Sequence, residues 1–214
     1  MIGIVDYGMG NIQSVLNAFE RLGHTVKIVT SGNQLKECTG MVLPGVGAFS
    51  KAMENLHKMD LVEPLKDQVA AGIPILGICL GLQLLADESE EYGSHKGLGL
   101  IPGSVRLLPV KLGYQLPHIG WNEVKITLRQ DEGIFKGIKD YSCFYFVHSF
   151  MLECDPKFIS AVTDHGCTVT AAVQSGLVFG TQFHPEKSQA SGLRLVKNFI
   201  ERVSLEATVK VVHA

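Results

Sequence analysis

The sequence predicts an α/β protein of three layers, with a mostly parallel central sheet flanked by helices and an additional antiparallel strand region. Three observations carry this expectation. In the first half, short β-branched runs alternate with stretches of 3.6-residue apolar periodicity, the rhythm of strand–helix–strand units. From about residue 100 the pattern changes to strand-length pieces separated by Gly, Asp and Asn, where antiparallel pairing is expected. Finally, 214 residues with 46% hydrophobic and 19% charged side chains suit one core and lie far from the composition of a disordered chain. A single domain is expected over 1–203, with 204–214 as an extension that takes no assignment beyond an edge strand or a disordered tail.

The elements follow in order. Residues 2–5 (Ile-Gly-Ile-Val) form a strand; Asn11 caps a helix with apolar positions Ile12, Val15, Leu16, Phe19 and Leu22, and Gly23 stops it. Strands are expected over 25–30 and 41–43, helices over 48–59 and 61–71, and a buried strand over 73–78. Further strands are expected over 105–110, 123–128, 145–149, 159–163, 169–173 and 178–183. Gln174-Ser175-Gly176 reads as a hairpin connection, and a last helix spans 189–203.

Nineteen Lys+Arg against 21 Asp+Glu give a net charge of −2, so no basic surplus exists to bind nucleic acid or an anionic membrane surface. The most apolar stretch, 72–86, is interrupted by Pro74, Gly77, Gly81 and Gln83 and is shorter than the roughly 20 residues of a spanning helix. The N-terminus shows no leader pattern, which makes a cytoplasmic location the expectation. Five cysteines, odd in number and never in a CxxC pair, argue against a disulfide framework and a thiolate zinc site. No metal and no cofactor is expected.

The sharpest local signal is Gly77-Ile78-Cys79-Leu80-Gly81, with a buried strand before it and a helical pattern after it. This is the thiol form of a nucleophile elbow: a strained strand-to-helix turn exposes the thiol at a helix N-terminus and leaves no room for side chains on either flank. A buried cysteine between packing glycines would give the same letters. A base is offered by His184-Pro185-Glu186 at the end of the 178–183 strand. In an extended segment His184 and Glu186 project to the same side, so Glu186 could hold one ring nitrogen while the other faces Cys79. His148 is the rival base, without an adjacent carboxylate, and reads more simply as a pocket-wall histidine. Pro44-Gly45-Val46-Gly47 offers either a second oxyanion element or a plain glycine-rich turn. Gly8-Met9-Gly10 falls short of a dinucleotide fingerprint, because position 13 is Gln.

Together these segments resemble the class I (triad) glutamine amidotransferases, in which a Gly-x-Cys-x-Gly elbow is followed far downstream by His-Pro-Glu. A closer resemblance comes from Asp6-Tyr7-Gly8-Met9-Gly10-Asn11, Pro44 to Phe49, Gly77 to Gln83, Gly120-Trp121-Asn122, Tyr145 to Ser149 and Phe183 to Ser188. These look like the glutaminase subunits of imidazole glycerol phosphate synthase, and the motifs run in one order from residue 6 to 188. The resemblance implies a flavodoxin-like amidotransferase fold, Cys79 as nucleophile, His184 as proton shuttle and Glu186 as its orienting partner.

It also implies oxyanion donors at Leu80 and in Val46-Gly47, with glutamine held by Gln83 and Glu91 in a pocket that includes His148 and Ser149. Glu91 could equally be an exposed member of the acidic run Asp87, Glu88, Glu90, Glu91. The implied partner is a (β/α)8 cyclase subunit that receives the ammonia as a heterodimer and makes imidazole glycerol phosphate and an aminoimidazole-carboxamide ribonucleotide in histidine biosynthesis. Trp121, Asn122 and Lys187 would lie near it; core packing is the competing role for Trp121, the one tryptophan. The alternatives are a glutaminase subunit of another ammonia-channelling synthase and a non-catalytic regulatory module of the same fold.

Overall fold

The structure, a computed structural model, describes residues 1–127 and 133–212. Its first half is built as strand–helix units: β1 (Ile2–Val5), α1 (Ile12–Arg21), β2 (Val26–Val29), a short α2 (Gly32–Leu35), β3 (Gly40–Gly45), α3 (Phe49–Lys58), α4 (Val62–Ala70), β4 (Ile75–Cys79) and α5 (Leu80–Leu84). Asn11 caps α1 by accepting the Ser14 amide at 3.2 Å, and Gly23 takes φ +69° just past its end, as a helix stop requires. β3 runs two residues beyond the expected strand, with Pro44 opposite Ile78 and Gly45 opposite Cys79. Proline is tolerated there because the β1 pairing has already ended at Val42, so the missing N–H has no neighbour to disappoint on that side.

The second half contributes β5 (Ala86–Ser89), β6 (His95–Lys96), β7 (Ile101–Leu107), β8 (His118–Ile126), β9 (Ser142–His148), β10 (Phe150–Cys154), β11 (Ile159–Asp164), β12 (Thr168–Ser175), β13 (Val178–Thr181) and α6 (Gln189–Val212). Among the described residues the central sheet has nine strands in the order β2-β1-β3-β4-β13-β12-β11-β8-β9. Pairing is parallel from β2 to β13 and antiparallel from β13 to β9. The return of β13 to the side of β4 matters most for the site, because it brings the chain's last strand alongside the elbow strand. Gln174-Ser175-Gly176 does open the β12–β13 hairpin.

Four differences from the sequence expectation have physical causes. A second sheet, β10-β7-β5-β6, was not separable by periodicity, since the acidic letters of 87–90 hide a strand whose polar groups are bonded across to β7. β8 begins at His118 rather than 123, because its first residues put polar His118 inward and the apolar Ile119 and Trp121 outward, with a glycine between; Leu128, at the end of the expected strand, lies outside the described residues. β10 follows β9 after a single residue, which merges two strands into one apolar run. The last helix does not stop at 203 but continues to Val212, in place of an edge strand or tail. Extending a formed helix needs no new nucleus, and Arg202 pairs with Glu206 at 2.9 Å, four residues on; His213 and Ala214 lie outside the described residues.

Strand alternation divides the apolar residues between two cores, and this is what makes three layers. Val5, Met41, Leu43 and Ile75 face α3, α4 and the second sheet. Ile4, Val42, Leu76 and Ile78 point the other way, against Val15 and Phe19 of α1 and Leu195, Val196 and Phe199 of α6. No helix among the described residues is long and apolar enough to cross a membrane.

Candidate active site

Cys79 is the last residue of β4 and carries φ 55°, ψ −108°, a backbone conformation that L-residues avoid. The turn is enforced from both flanks. A Cβ on Gly77 would come within 2.6 Å of the Gly81 carbonyl oxygen, and a Cβ on Gly81 would run into the Leu43 carbonyl. The thiol stands at the start of α5, 3.7 Å from the Val147 carbonyl and 3.8 Å from the Gln182 side-chain amide.

His184 arrives from β13, its backbone amide bonded to the Tyr145 carbonyl at 2.9 Å. Its Nδ1 meets Glu186 Oε1 at 2.7 Å with both side chains only 2% exposed. The expected extended spacing is not how this contact forms: Pro185 to Lys187 make a 3-10 turn, which folds Glu186 back onto the ring where a straight strand would hold the two side chains apart. Ser188 locks the turn, its hydroxyl donating to the His184 carbonyl at 2.6 Å and accepting the Tyr145 amide at 3.0 Å. Burial pulls the His184 pKa down, but the Cys79 and Glu186 interactions outweigh it and raise the value to about 9. With Nδ1 committed to Glu186, buried Nε2 is the nitrogen left for Cys79. The three side chains therefore form a line from thiol to imidazole to carboxylate.

The thiol opens into a pocket of about 610 Å³ whose lining includes Val46, Gly47, Cys79, Leu80, Gln83, Glu91, His148 and Ser149. Gln83 donates to the Phe150 carbonyl at 2.9 Å and to Gln182 Oε1 at 3.2 Å, so its own oxygen is the atom left for a ligand. Glu91 is not a solvated member of the acidic run: it is 9% exposed, and Oε2 accepts the Phe49 amide at the N-terminus of α3 at 2.6 Å. Gly47 takes φ +109°, a conformation that frees the peptide between it and Val46 to turn. His148 cannot serve as the base, because both ring nitrogens are bonded, Nδ1 to the Phe150 carbonyl at 2.8 Å and Nε2 to His118 at 3.0 Å.

The chain matches the class-I glutamine amidotransferase family over residues 3–203. It belongs to that family. Among curated relatives, the imidazole glycerol phosphate synthase subunit HisH of Moorella thermoacetica is 44% identical over 203 residues, covering 94% of this chain and 95% of the relative. The HisH subunit of Desulfitobacterium hafniense strain Y51 is 45% identical over 212 residues, 98% of both chains. Among solved structures, the PurLQS complex of Thermotoga maritima contributes a chain with TM-score 0.72 at 19% identity, covering 94% of this chain and 98% of that one, a likeness of fold alone.

Of the three residues placed near a partner, this amidotransferase exposes two. Trp121 is 48% exposed and packs edge-on to Tyr145 with centroids 6.1 Å apart, which removes the core-packing role. Lys187 is exposed, with Nζ 5.8 Å over the same Tyr145 ring. Asn122 is instead turned inward, bonded to His118 and to the Asp164 carbonyl. Sequence reasoning missed Tyr92, Leu116, Pro117 and Phe150 in the pocket wall and His118 and Gln182 behind it. Gln182, a polar residue inside the apolar run ending in Phe183, carried a usable signal; loop residues such as Leu116 carried none.

Proposed function

We propose that this chain hydrolyses glutamine to glutamate and ammonia with Cys79, His184 and Glu186, as the glutaminase subunit of an imidazole glycerol phosphate synthase in the cytoplasm. The observation that carries it is the thiol on a strained elbow, backed by a buried His–Glu pair and opening into a pocket that also gathers Gln83 and Glu91. The relatives at about 45% identity, which are named as subunits of that synthase, support the assignment of the pathway.

In this mechanism His184 Nε2 has taken the thiol proton before Sγ bonds to the side-chain amide carbon, consistent with its raised pKa, and the carbonyl oxygen becomes an oxyanion held by the Leu80 amide and an amide of the Val46–Gly47 segment. Collapse breaks the C–N bond; His184 protonates the leaving nitrogen, ammonia departs, and a thioester remains. Water, deprotonated by His184, then cleaves the thioester to glutamate and returns the thiol. Glu186 stabilises the imidazolium form in both halves. Gln83 Oε1 and Glu91 would grip the α-amino and α-carboxylate end. Free ammonia would be protonated and lost in water, so a (β/α)8 cyclase would dock over the pocket mouth, where Val46, Tyr92, Leu107 and Leu116 are exposed apolar side chains.

The experiment is glutamate release from glutamine by the chain alone, and with the cyclase and its nucleotide ligand, with Cys79→Ala as blank. Stimulation by the liganded cyclase is expected. Turnover without any response would discard this partner, and turnover by Cys79→Ala would discard the nucleophile.

A further inference from the structure

We propose that His118 and Asn122 are positioning residues of the glutamine pocket, holding His148 as a neutral Nδ1–H imidazole so that the Phe150 carbonyl and Gln83 stay in place. The proposal rests on the glutaminase reading above only for its consequence in turnover; the hydrogen-bond chain itself stands on geometry.

That chain has no freedom in its direction, because backbone groups pin both ends. The Asn122 amide is oriented by accepting the Glu123 N–H at 2.9 Å and donating Nδ2 to the Asp164 carbonyl at 2.7 Å. Its other Nδ2 proton points to His118 Nε2 at 3.2 Å, and an amide nitrogen can only donate, so that ring nitrogen carries no proton. His118 therefore has its proton on Nδ1, which donates to His148 Nε2 at 3.0 Å. His148 in turn carries its proton on Nδ1 and donates to the Phe150 carbonyl, which can only accept, at 2.8 Å. Reading from Phe150 back to Asn122 gives the same assignment. An extra proton on either ring would set two N–H groups against each other somewhere along the line, and burial acts in the same direction, lowering His118 to about 4 and His148 to about 3. His118 is itself held flat between Phe146 and His165, with ring centroids 4.7 Å and 4.1 Å away.

The consequence reaches the pocket through one atom. The Phe150 carbonyl accepts both from His148 Nδ1 and from Gln83 Nε2 at 2.9 Å, so both of its lone pairs are used and the two pocket side chains share one anchor. A neutral His148 also leaves His184 without a second imidazolium inside its electrostatic reach, where a charge on His148 would oppose the protonation that His184 needs. Composition could not show this: Asn122 lies beside the exposed Trp121 in sequence, yet its side chain serves the interior.

The test uses 15N-histidine NMR on the intact chain together with glutamine kinetics in the presence of the cyclase. Wild type should show His148 and His118 as single neutral Nδ1–H tautomers at pH 7. His118→Leu removes the donor to His148 Nε2, and should mix the His148 tautomers and raise KM for glutamine about 10-fold with kcat changed by less than about 3-fold. His118→Asn, whose Nδ2 stands where Nδ1 stood, should restore both the single tautomer and KM to within about 3-fold of wild type. A charged or Nε2–H His148 in the wild-type chain overturns the proposal whether or not any variant folds, as does a wild-type KM in His118→Leu. If the wild-type chain releases no glutamate, the glutaminase reading fails while the tautomer measurement still decides this one.

Discussion

Gly45 lies beside Cys79 in the parallel β3–β4 register, so the chain leaves the sheet for Val46 and Gly47 at the level of the proposed nucleophile. The same glycine is pressed from behind. A Cβ there would collide with the Tyr7 hydroxyl and lie 2.9 Å from Leu80 Cβ.

Gly45→Ala should therefore displace the segment carrying one of the proposed oxyanion amides, lowering kcat by about 100-fold or more, the scale of losing one such donor. Tyr7 Oη is buried without a hydrogen-bond partner, so Tyr7→Phe alone should be neutral or stabilising by up to about 1 kcal/mol. Combined with Gly45→Ala it should recover part of the lost stability, read as Tm, because the Leu80 contact remains.

The elbow predicts a conflict between stability and activity. Cys79 pays for its φ of 55° with strain that glycine does not feel, so Cys79→Gly should be more stable than Cys79→Ala by about 1–2 kcal/mol while both are inactive. Thermal unfolding of the two variants side by side measures this; equal Tm values would mean that the turn costs nothing.

Glu91 has two duties that one substitution separates. Glu91→Gln keeps an oxygen for the Phe49 amide but removes the charge facing the pocket, so Tm should fall by only a few degrees, the scale of a helix-terminus charge. KM for glutamine should rise about 10-fold if a charge-assisted contact is lost. A larger effect on Tm than on KM would assign Glu91 to the fold alone.

His184 gives a stability term with a definite pH window. Burial lowers its pKa, the Cys79 and Glu186 interactions raise it by more than that, and the folded value of about 9 lies above the ordinary histidine value. A raised histidine stabilises fully below the unfolded pKa of about 6.5, and the term is lost as pH climbs through about 9. The Tm advantage of wild type over Glu186→Gln should accordingly be largest near pH 6 and shrink toward pH 10.

The exposed pair predicts a binding effect without a folding effect. Trp121→Ala removes a half-exposed ring that packs on Tyr145 beneath Lys187, and should weaken cyclase binding by at least about 10-fold with Tm unchanged. Titration calorimetry against the cyclase reads the first quantity and a melting curve the second.

The elbow was legible in the sequence because much of its cause is local: a Cβ on Gly77 is blocked by Gly81 and Leu82 a few residues on, although the block at Gly81 comes from Leu43 on the neighbouring strand. The two-core α/β arrangement was legible for a similar reason, since strand alternation and helical period act along the chain. The second sheet, the early start of β8 and the helical continuation past Val203 were not, because a strand with polar partners or a helix extended from an existing one leaves no apolar period.

By itself the sequence determined the family, through the resemblance of its ordered motifs, and the alternating architecture, through strand and helix periodicity, and it singled out Cys79 through the short-range sterics of its flanking glycines. Only the tertiary structure decided which histidine is free to act. His184 and His148 are both buried histidines near Cys79, but the return of β13 beside β4 and the turn at Pro185 give one a carboxylate and a raised pKa. The pairing of β8 with β9 gives the other a second histidine and keeps it neutral. Hydrogen-bond partners brought from distant strands set those protonation states, and no local pattern of residues records them.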